Sequence, residues 1–314
     1  MTIEKYSFQN SLIEIIDDEL DINIRQDFSP PLLPEKLEEN MELEQGHTLQ
    51  LTYADQKKNN IYSAFIKKGD QLSGQYRTFY PNGNVESESY YSTDSNLHGP
   101  STCFSQEGKI LSKSWFLNGK QIGKAHSYFA SGNLYSSLQY KDDLQHLRQV
   151  YYYDNGSPKT ILPFTMGKLN GTCTLYHANG IVFREILYKN NTKDGLEQEW
   201  NPKGEKRAER LFNNNTLLKE QRWNSNNKLV DERVFLEKTS RVNFKKWSSE
   251  GTLIKMGSHE GELAHFQSWD NKGNLTLEFK GSWDGEIVRL EKVLYGDISP
   301  DVAAKTFSWE AIES

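Results

Sequence analysis

A turn residue, usually glycine, returns about every two dozen positions in this chain, and an aromatic ring precedes it at a fixed distance. The turn positions are Gly83, Gly108, Gly132, Gly156, Gly180, Gly204, Asn227, Gly251 and Gly273, at intervals of 25, 24, 24, 24, 24, 23, 24 and 22 residues. Asn227 fits the series because Asn tolerates the positive φ of a tight turn better than most residues. Four residues before each turn stand Phe79, Phe104, Tyr128, Tyr152, Tyr176, Trp200, Trp223, Trp247 and Trp269. Aromatics make up 12% of the chain, so nine rings in nine repeats is a structural constraint and not chance.

Two residues after the turn come Val85, Ile110, Leu134, Val182, Leu229, Leu253 and Leu275, with Pro158 and Lys206 as exceptions. Eight residues after it come Tyr91, Phe116, Tyr140, Phe164, Tyr188, Phe212 and Phe235, before the column fails at His259. These two columns are an even number of residues apart, so on a strand they share one face. Each repeat therefore reads as strand, tight turn, strand, second turn. The Asn-Gly pairs at 82–83, 155–156 and 179–180 are strong hairpin signals, and "NGKQIG" at 118–123, "MGKLNG" at 166–171 and "NNTKDG" at 190–195 mark the second turn. A less regular unit spans 46–68, with Tyr53 as its ring and residues 61–65 as its second strand, giving about ten units.

The stretches "GQYRTFYPNGNVESESYY" at 74–91 and "GTCTLYHANGIVFREILY" at 171–188 resemble MORN-repeat variants of the YwqK-like, antitoxin-type group, and the resemblance extends over about residues 46–280. It implies partner binding, self-association or membrane-proximal assembly, and toxin neutralisation as the group's label. Leu147 and Leu218 depart from the pattern, standing where other units have Gly123, Gly171 and Gly195.

The expected fold is all-β: an elongated single array of about ten β-hairpin repeats in a twisted, curled antiparallel sheet. At two strands per unit it would extend roughly 95 Å, with a concave groove. Short helical caps are expected at both termini. At the N-terminus Ser11 with Glu14 fits a capping box, and Leu12, Ile16 and Leu20 would form a helical stripe; a short helix carrying Leu37 and Met41 follows the prolines. At the C-terminus Ser299, Pro300 and Asp301 read as a helix start, with Val302, Ala303, Phe307 and Ile312 covering the last strands. Residues 1–45 thus form an acidic segment with a proline-rich linker, 46–285 the array, and 286–314 a C-terminal strand and capping helix. Cys103 and Cys173 lie three repeats apart, about 28 Å by strand spacing, so both should be free thiols.

Residues 1–45 hold 12 acids and 3 bases, so the remainder of this chain of net charge −6 is near neutral. No basic stripe predicts nucleic-acid binding. The N-terminus lacks the positive region of a signal peptide and no apolar run spans a bilayer, so the expected location is cytoplasmic, with secretion without a cleaved signal left open. No phosphate loop, nucleophile elbow or zinc motif is present, and the seven histidines have no metal-site spacing. The expectation is a non-enzyme without cofactor or metal. His98 and His146 read as polar second-turn residues.

The ring column admits two readings: a core that stacks unit upon unit, or in part the lining of a ligand groove. Tyr80, Phe129 and Tyr153 each put a second ring beside the first, which gives both strand faces an aromatic there; they are the candidate binding residues. The expected function is a non-catalytic scaffold binding a partner protein segment along the groove or a sheet edge, with homo-oligomers through the sheet ends possible in principle. The alternatives are toxin neutralisation and a carbohydrate- or membrane-surface-binding module.

Overall fold

The computed structural model describes residues 2–9, 11–235, 242–260, 262–283, 287–296 and 307–308. Among them every regular element is a strand except one 3-10 turn, Glu44–Gly46. The chain divides into two compact units, Met1–Asn170 and Gly171–Ser314.

The repeat period is reproduced by the backbone. Each of the nine rings is the last residue of its strand, and each pairs across the turn with the residue two places beyond the turn glycine, as in Phe79↔Val85, Tyr176↔Val182 and Trp269↔Leu275. The register slips by one residue just before every ring, for example between Thr78 and Phe79. All nine turn positions have positive φ, from 56° at Asn227 to 94° at Gly132. In the first of these turns the Gly83 amide donates to Tyr80 O and the Tyr80 amide to Asn84 O, both at 2.9 Å. That is a type I turn closed by a left-handed residue, the usual three-residue hairpin loop. Second turns are of the other kind. Asn118 and Gly119, Asp142 and Asp143, Met166 and Gly167, Asn190 and Asn191, and Asn214 and Asn215 all have positive φ at both central residues, as a type I′ turn requires. The irregular early unit is a hairpin of His47–Tyr53 and Ile61–Lys68, also with a slip before its ring, Tyr53.

The first unit holds an antiparallel sheet running from His47–Tyr53 to Pro158–Thr165, each long strand paired with the next. The second holds an antiparallel sheet from Gly171–Tyr176 through Ile287–Tyr295 to Phe307–Ser308.

No helical cap forms at the N-terminus. Three strands make a separate meander there: β1 (Glu4–Gln9), β2 (Leu12–Asp17) and β3 (Ile22–Asp27). The capping-box reading fails because Ser11 takes φ 68° in a turn and β2 is rich in β-branched residues alternating with period two. Ile13 and Ile15 point to one face and are fully buried, while Glu14 lies on the other between Lys5 and Arg25. The short helix expected around Leu37 and Met41 is also absent. That segment runs along the outer edge of His47–Tyr53, with Asn40 N donating to Leu49 O, Leu49 N to Met41 O and Leu43 N to His47 O. Edge pairing satisfies more backbone there than one helical turn would, and Leu37 still packs on Leu49 and Leu51. At the C-terminus, Ser299, Pro300, Asp301, Val302, Ala303 and Ile312 lie outside the described residues. The Phe307 backbone is strand, paired with Val288.

The ring column is a half-buried ladder and not a closed core, since none of the nine rings is fully buried. Full burial falls elsewhere. In the first unit the meander packs Ile13, Ile15, Leu20 and Ile22 on Trp115, and Leu49, Leu51 and Ala64 form a second cluster. In the second unit Phe244, Ala264, Phe266, Phe279 and Val288 pack together. Both cysteines are free, Cys103 exposed and Cys173 buried, and burial pushes the Cys173 thiol up to about 11.

Candidate functional site

One sheet row has opposite fates in the two units. It is made by residues eight before the turn glycine on the first strand of each repeat and seven after it on the second. These positions pair directly: Gln75↔Tyr90, Pro100↔Trp115 and Lys124↔Gln139 in the first unit, Thr172↔Leu187 and Leu196↔Leu211 in the second.

In the first unit the meander covers this row over Tyr90, Trp115 and Gln139, while Arg148 of the unit's last pair, Arg148↔Pro163, is exposed. Tyr6 and Phe8 lie 5.9 and 5.0 Å, centroid to centroid, from Trp115 and Tyr90. The Lys124 amide donates to the Tyr6 hydroxyl at 3.0 Å, and that hydroxyl donates to Asp17 Oδ2 at 2.6 Å. Burial first, and then Asp17, push the Tyr6 phenol far above its ordinary range, so it remains a donor. The Lys124 ammonium lies 2.5 Å from Glu4, 3.6 Å from Asp17 and 3.7 Å from Glu19. Burial by itself would lower Lys124, but these acids outweigh it and hold the ammonium above its usual range. Gln139 Nε2 donates to Glu19 Oε2 at 3.1 Å. Glycine makes this approach possible: a Cβ on Gly123 would sit 2.5 Å from the Tyr6 ring. Tyr90, Trp115 and Gln139 are each less than 9% exposed beneath it, and Gln75, also less than 9% exposed, is covered by the segment that follows the meander, donating its amide to Pro31 O.

In the second unit the same row is bare at three leucines. Leu187, Leu196 and Leu211 are 39%, 46% and 38% exposed, adjacent on neighbouring strands, with Leu187 lying over Gly195. Leu211 pairs directly with Lys219, which occupies in its repeat the place Lys124 has in its own. Lys219 is 40% exposed and paired with Glu232 at 2.9 Å.

The face that carries Glu197, Arg210, Glu220 and Arg233 holds a second feature. These four are consecutive partners across four strands, between Ile186 on one side and Phe244 on the other. Arg210 Nη1 is 3.0 Å from Glu197 and Nε 2.8 Å from Glu220, with both carboxylates buried. Burial opposes the charge on Arg210, and Glu220, Glu197 and Glu199 more than offset it, so the guanidinium is held protonated more firmly than in water. Glu197 and Glu199 are thus both engaged by Arg210, at 3.0 and 3.6 Å.

The candidate rings Tyr80, Phe129 and Tyr153 occupy the corner just after the ring column, each half-buried on its own hairpin, so they are not gathered into one site. The Tyr80 hydroxyl donates to Phe104 O of the next hairpin at 2.8 Å, and His177 reaches Trp200 O in the same way at 3.0 Å. Phe129 packs edge-on against Tyr135 at 5.1 Å, and the Lys159 ammonium stands 5.6 Å from the Tyr153 ring. His98 and His146 behave as turn residues: each accepts the backbone amide of the next second turn at Nδ1, from Asn118 at 3.2 Å and Met166 at 3.3 Å. The bare leucine row was missed in the sequence, although a signal existed. Leu187 and Leu211 directly precede Tyr188 and Phe212, and an apolar residue next to the ring of the eighth position means that both faces want cover.

These features define a class, an all-β hairpin-repeat protein. Two stretches, residues 72–92 and 169–190, match the MORN repeat variant family, and those stretches of the chain are MORN repeat variants. No curated protein matches the chain. Among solved structures, the crystal structure of TcdB2-TccC3-Cdc42 is similar at 13% identity, TM-score 0.19, over 75% of this chain and 14% of that one. The Tc holotoxin pore of Photorhabdus luminescens, carrying a TccC3 D651A mutation, is similar at 10% identity, TM-score 0.18, over 92% and 16%. This chain therefore spans about one seventh of the length of those chains.

Proposed function

We propose that this protein is a non-catalytic binding scaffold whose bare row, Leu187, Leu196 and Leu211, receives a β-segment of a partner protein. The observation that carries the reading is the contrast within one chain: the same row is buried beneath a β-meander where the chain supplies its own cover, and exposed where it does not. The intramolecular cover also indicates the chemistry of the partner. β2 presents Ile13 and Ile15 in alternation, and the meander brings Glu4, Asp17 and Glu19 onto Lys124. A segment alternating apolar and acidic residues would meet the leucines and Lys219 in the same manner. Burying what remains exposed of the three leucines is worth about 2–4 kcal/mol. That is enough to anchor the centre of an interface, with polar contacts around it supplying the remainder.

Toxin neutralisation is one form of this reading, in which the docked partner is a toxin; rescue on co-expression would identify it. The general reading is tested by affinity capture of the full chain against Leu187→Ser/Leu196→Ser/Leu211→Ser, with circular dichroism to establish that the variant is folded. Partners held by the native chain and lost by the folded variant support the proposal. An identical set of partners on both proteins overturns it.

A further inference from the structure

The leucine row has a template for its occupant within the same chain. Tyr90, Pro100, Trp115 and Lys124 of the first unit correspond, four repeats later, to Leu187, Leu196, Leu211 and Lys219, each at the same distance from its turn residue. In the first unit the four lie on the successive strands Val85–Tyr91, Gly99–Phe104, Ile110–Leu117 and Gly123–Tyr128. In the second they lie on Val182–Lys189, Thr192–Trp200, Lys206–Asn213 and Thr216–Trp223, again successive.

β1 is laid across the first set. Glu4, Tyr6 and Phe8 alternate along it and so share one face. Glu4 stands 2.5 Å from Lys124, the Tyr6 ring 5.9 Å from Trp115 and the Phe8 ring 5.0 Å from Tyr90. The strand therefore crosses the strands beneath it, with its N-terminal end on the lysine. The lengths agree: four residue steps of extended chain cover about 13 Å, and three strand spacings about 14 Å. From Lys219 to Leu187 there are also three spacings.

Two places differ between the rows, and both bear on what fits. Gly123, whose missing Cβ admits the Tyr6 ring, corresponds to Leu218, so the residue over the centre of the second row has to be shorter than tyrosine. Lys219 already has Glu232 at 2.9 Å, where the first unit has Ser137. A lysine in this place still takes a further acid, since Lys124 gathers three carboxylates within 3.7 Å. Glu232 is also held by Gln221 at 2.6 Å, and Glu209 beside it by Lys206 at 2.7 Å, so neither repels an incoming acid as a free carboxylate would.

We propose, on the reading that this row docks a partner, that the occupant is one extended segment of the pattern acid–x–aliphatic–x–apolar. It lies across the strands with its N-terminal acid on Lys219, its aliphatic residue over Leu211 and Leu196, and its apolar residue on Leu187. Direction and register are those of β1.

The probe is a peptide of residues 2–10 carrying Tyr6→Leu, titrated into the full chain while leucine methyl groups are followed by ¹³C NMR. Saturable shifts at Leu187, Leu196 and Leu211 are expected, with a dissociation constant of about 1 mM. A spin label on the N-terminus of the peptide should broaden Leu211 more than Leu187, and one on its C-terminus should reverse that order. Glu4→Gln in the peptide, or Lys219→Met in the protein, should weaken binding about threefold. The proposal is overturned if the leucines show no saturable shift, if the two labels give the opposite order, or if the Glu4→Gln peptide binds as tightly as its parent. Whether the row docks a partner at all is decided separately, by capture with the triple serine variant: partners lost there while the peptide fails would refute the pattern and leave the docking row standing.

Discussion

Replacing Arg210 with Met tests the buried charge row most sharply. Arg210 is the shared partner of Glu197 and Glu220, whose side chains are only 3% and 7% exposed. Breaking a buried ion pair by removing one partner costs roughly 3–5 kcal/mol, because an uncompensated charge stays behind. Here each carboxylate keeps a second cation: Lys193 at 2.5 Å from Glu197 and Arg222 at 3.1 Å from Glu220. Both of those bases are more exposed than Arg210, so they replace only part of what is lost. The expected loss is therefore at the lower end, about 3 kcal/mol, or a fall in Tm of roughly 6–12 °C for a unit of this size. Thermal and urea unfolding by circular dichroism at neutral pH measure it. The triple variant Glu197→Leu/Arg210→Leu/Glu220→Leu should recover most of the loss, since an apolar replacement of a whole buried network is often neutral or better. A loss under about 0.5 kcal/mol for Arg210→Met, the size of a surface pair, would refute the reasoning. A triple variant less stable than the single one would refute it as well.

Stability should fall as pH drops below about 6.5. Both His98 and His126 are lowered from 6.5, by burial first, with Lys124 and Lys113 adding to the effect at His126. The unfolded chain takes up these protons before the native one, so stability complete above pH 6.5 is lost on the acid side; His98→Gln/His126→Gln should flatten that limb in pH-dependent urea titrations. In thiol labelling of the native protein, Cys103 should react promptly and Cys173 only after denaturation, and equal rates for the two would contradict the burial of Cys173. Gly123→Ala should loosen the meander, since the new Cβ meets Tyr6 at 2.5 Å and φ is +70°. The left-handed conformation alone costs an alanine about 1–2 kcal/mol. Faster proteolysis of the first 27 residues with a changed Trp fluorescence is the expected readout, and protection equal to the native chain would count against the packing described.

The hairpin array was legible because its signals are local and redundant. A ring, a left-handed turn residue and an aliphatic partner recur together, and the backbone places every one of the nine rings and nine turns as read. The meander was not legible from the same rules. Leu12, Ile16 and Leu20 have helical spacing and Ser11 with Glu14 mimics a capping box, yet Ile13 and Ile15 alternate, and it was Trp115 and Tyr90, far away in sequence, that decided between the periods. Propensity is a weak prior when a distant surface offers burial. The same non-locality hid the leucine row. Nothing near Leu196 marks it as exposed, and its meaning comes from Lys124, three repeats earlier, being covered.

A photo-crosslinking residue placed at Leu196 in the full chain, expressed in its native cells, interrogates the bare row directly. The same residue at Tyr62, which is 51% exposed on the other unit, serves as the control for mere exposure. The account predicts a discrete protein adduct from position 196, mapping to a β-segment of alternating apolar and acidic residues, and none of the same kind from position 62. Equal or absent adducts at the two positions would contradict it.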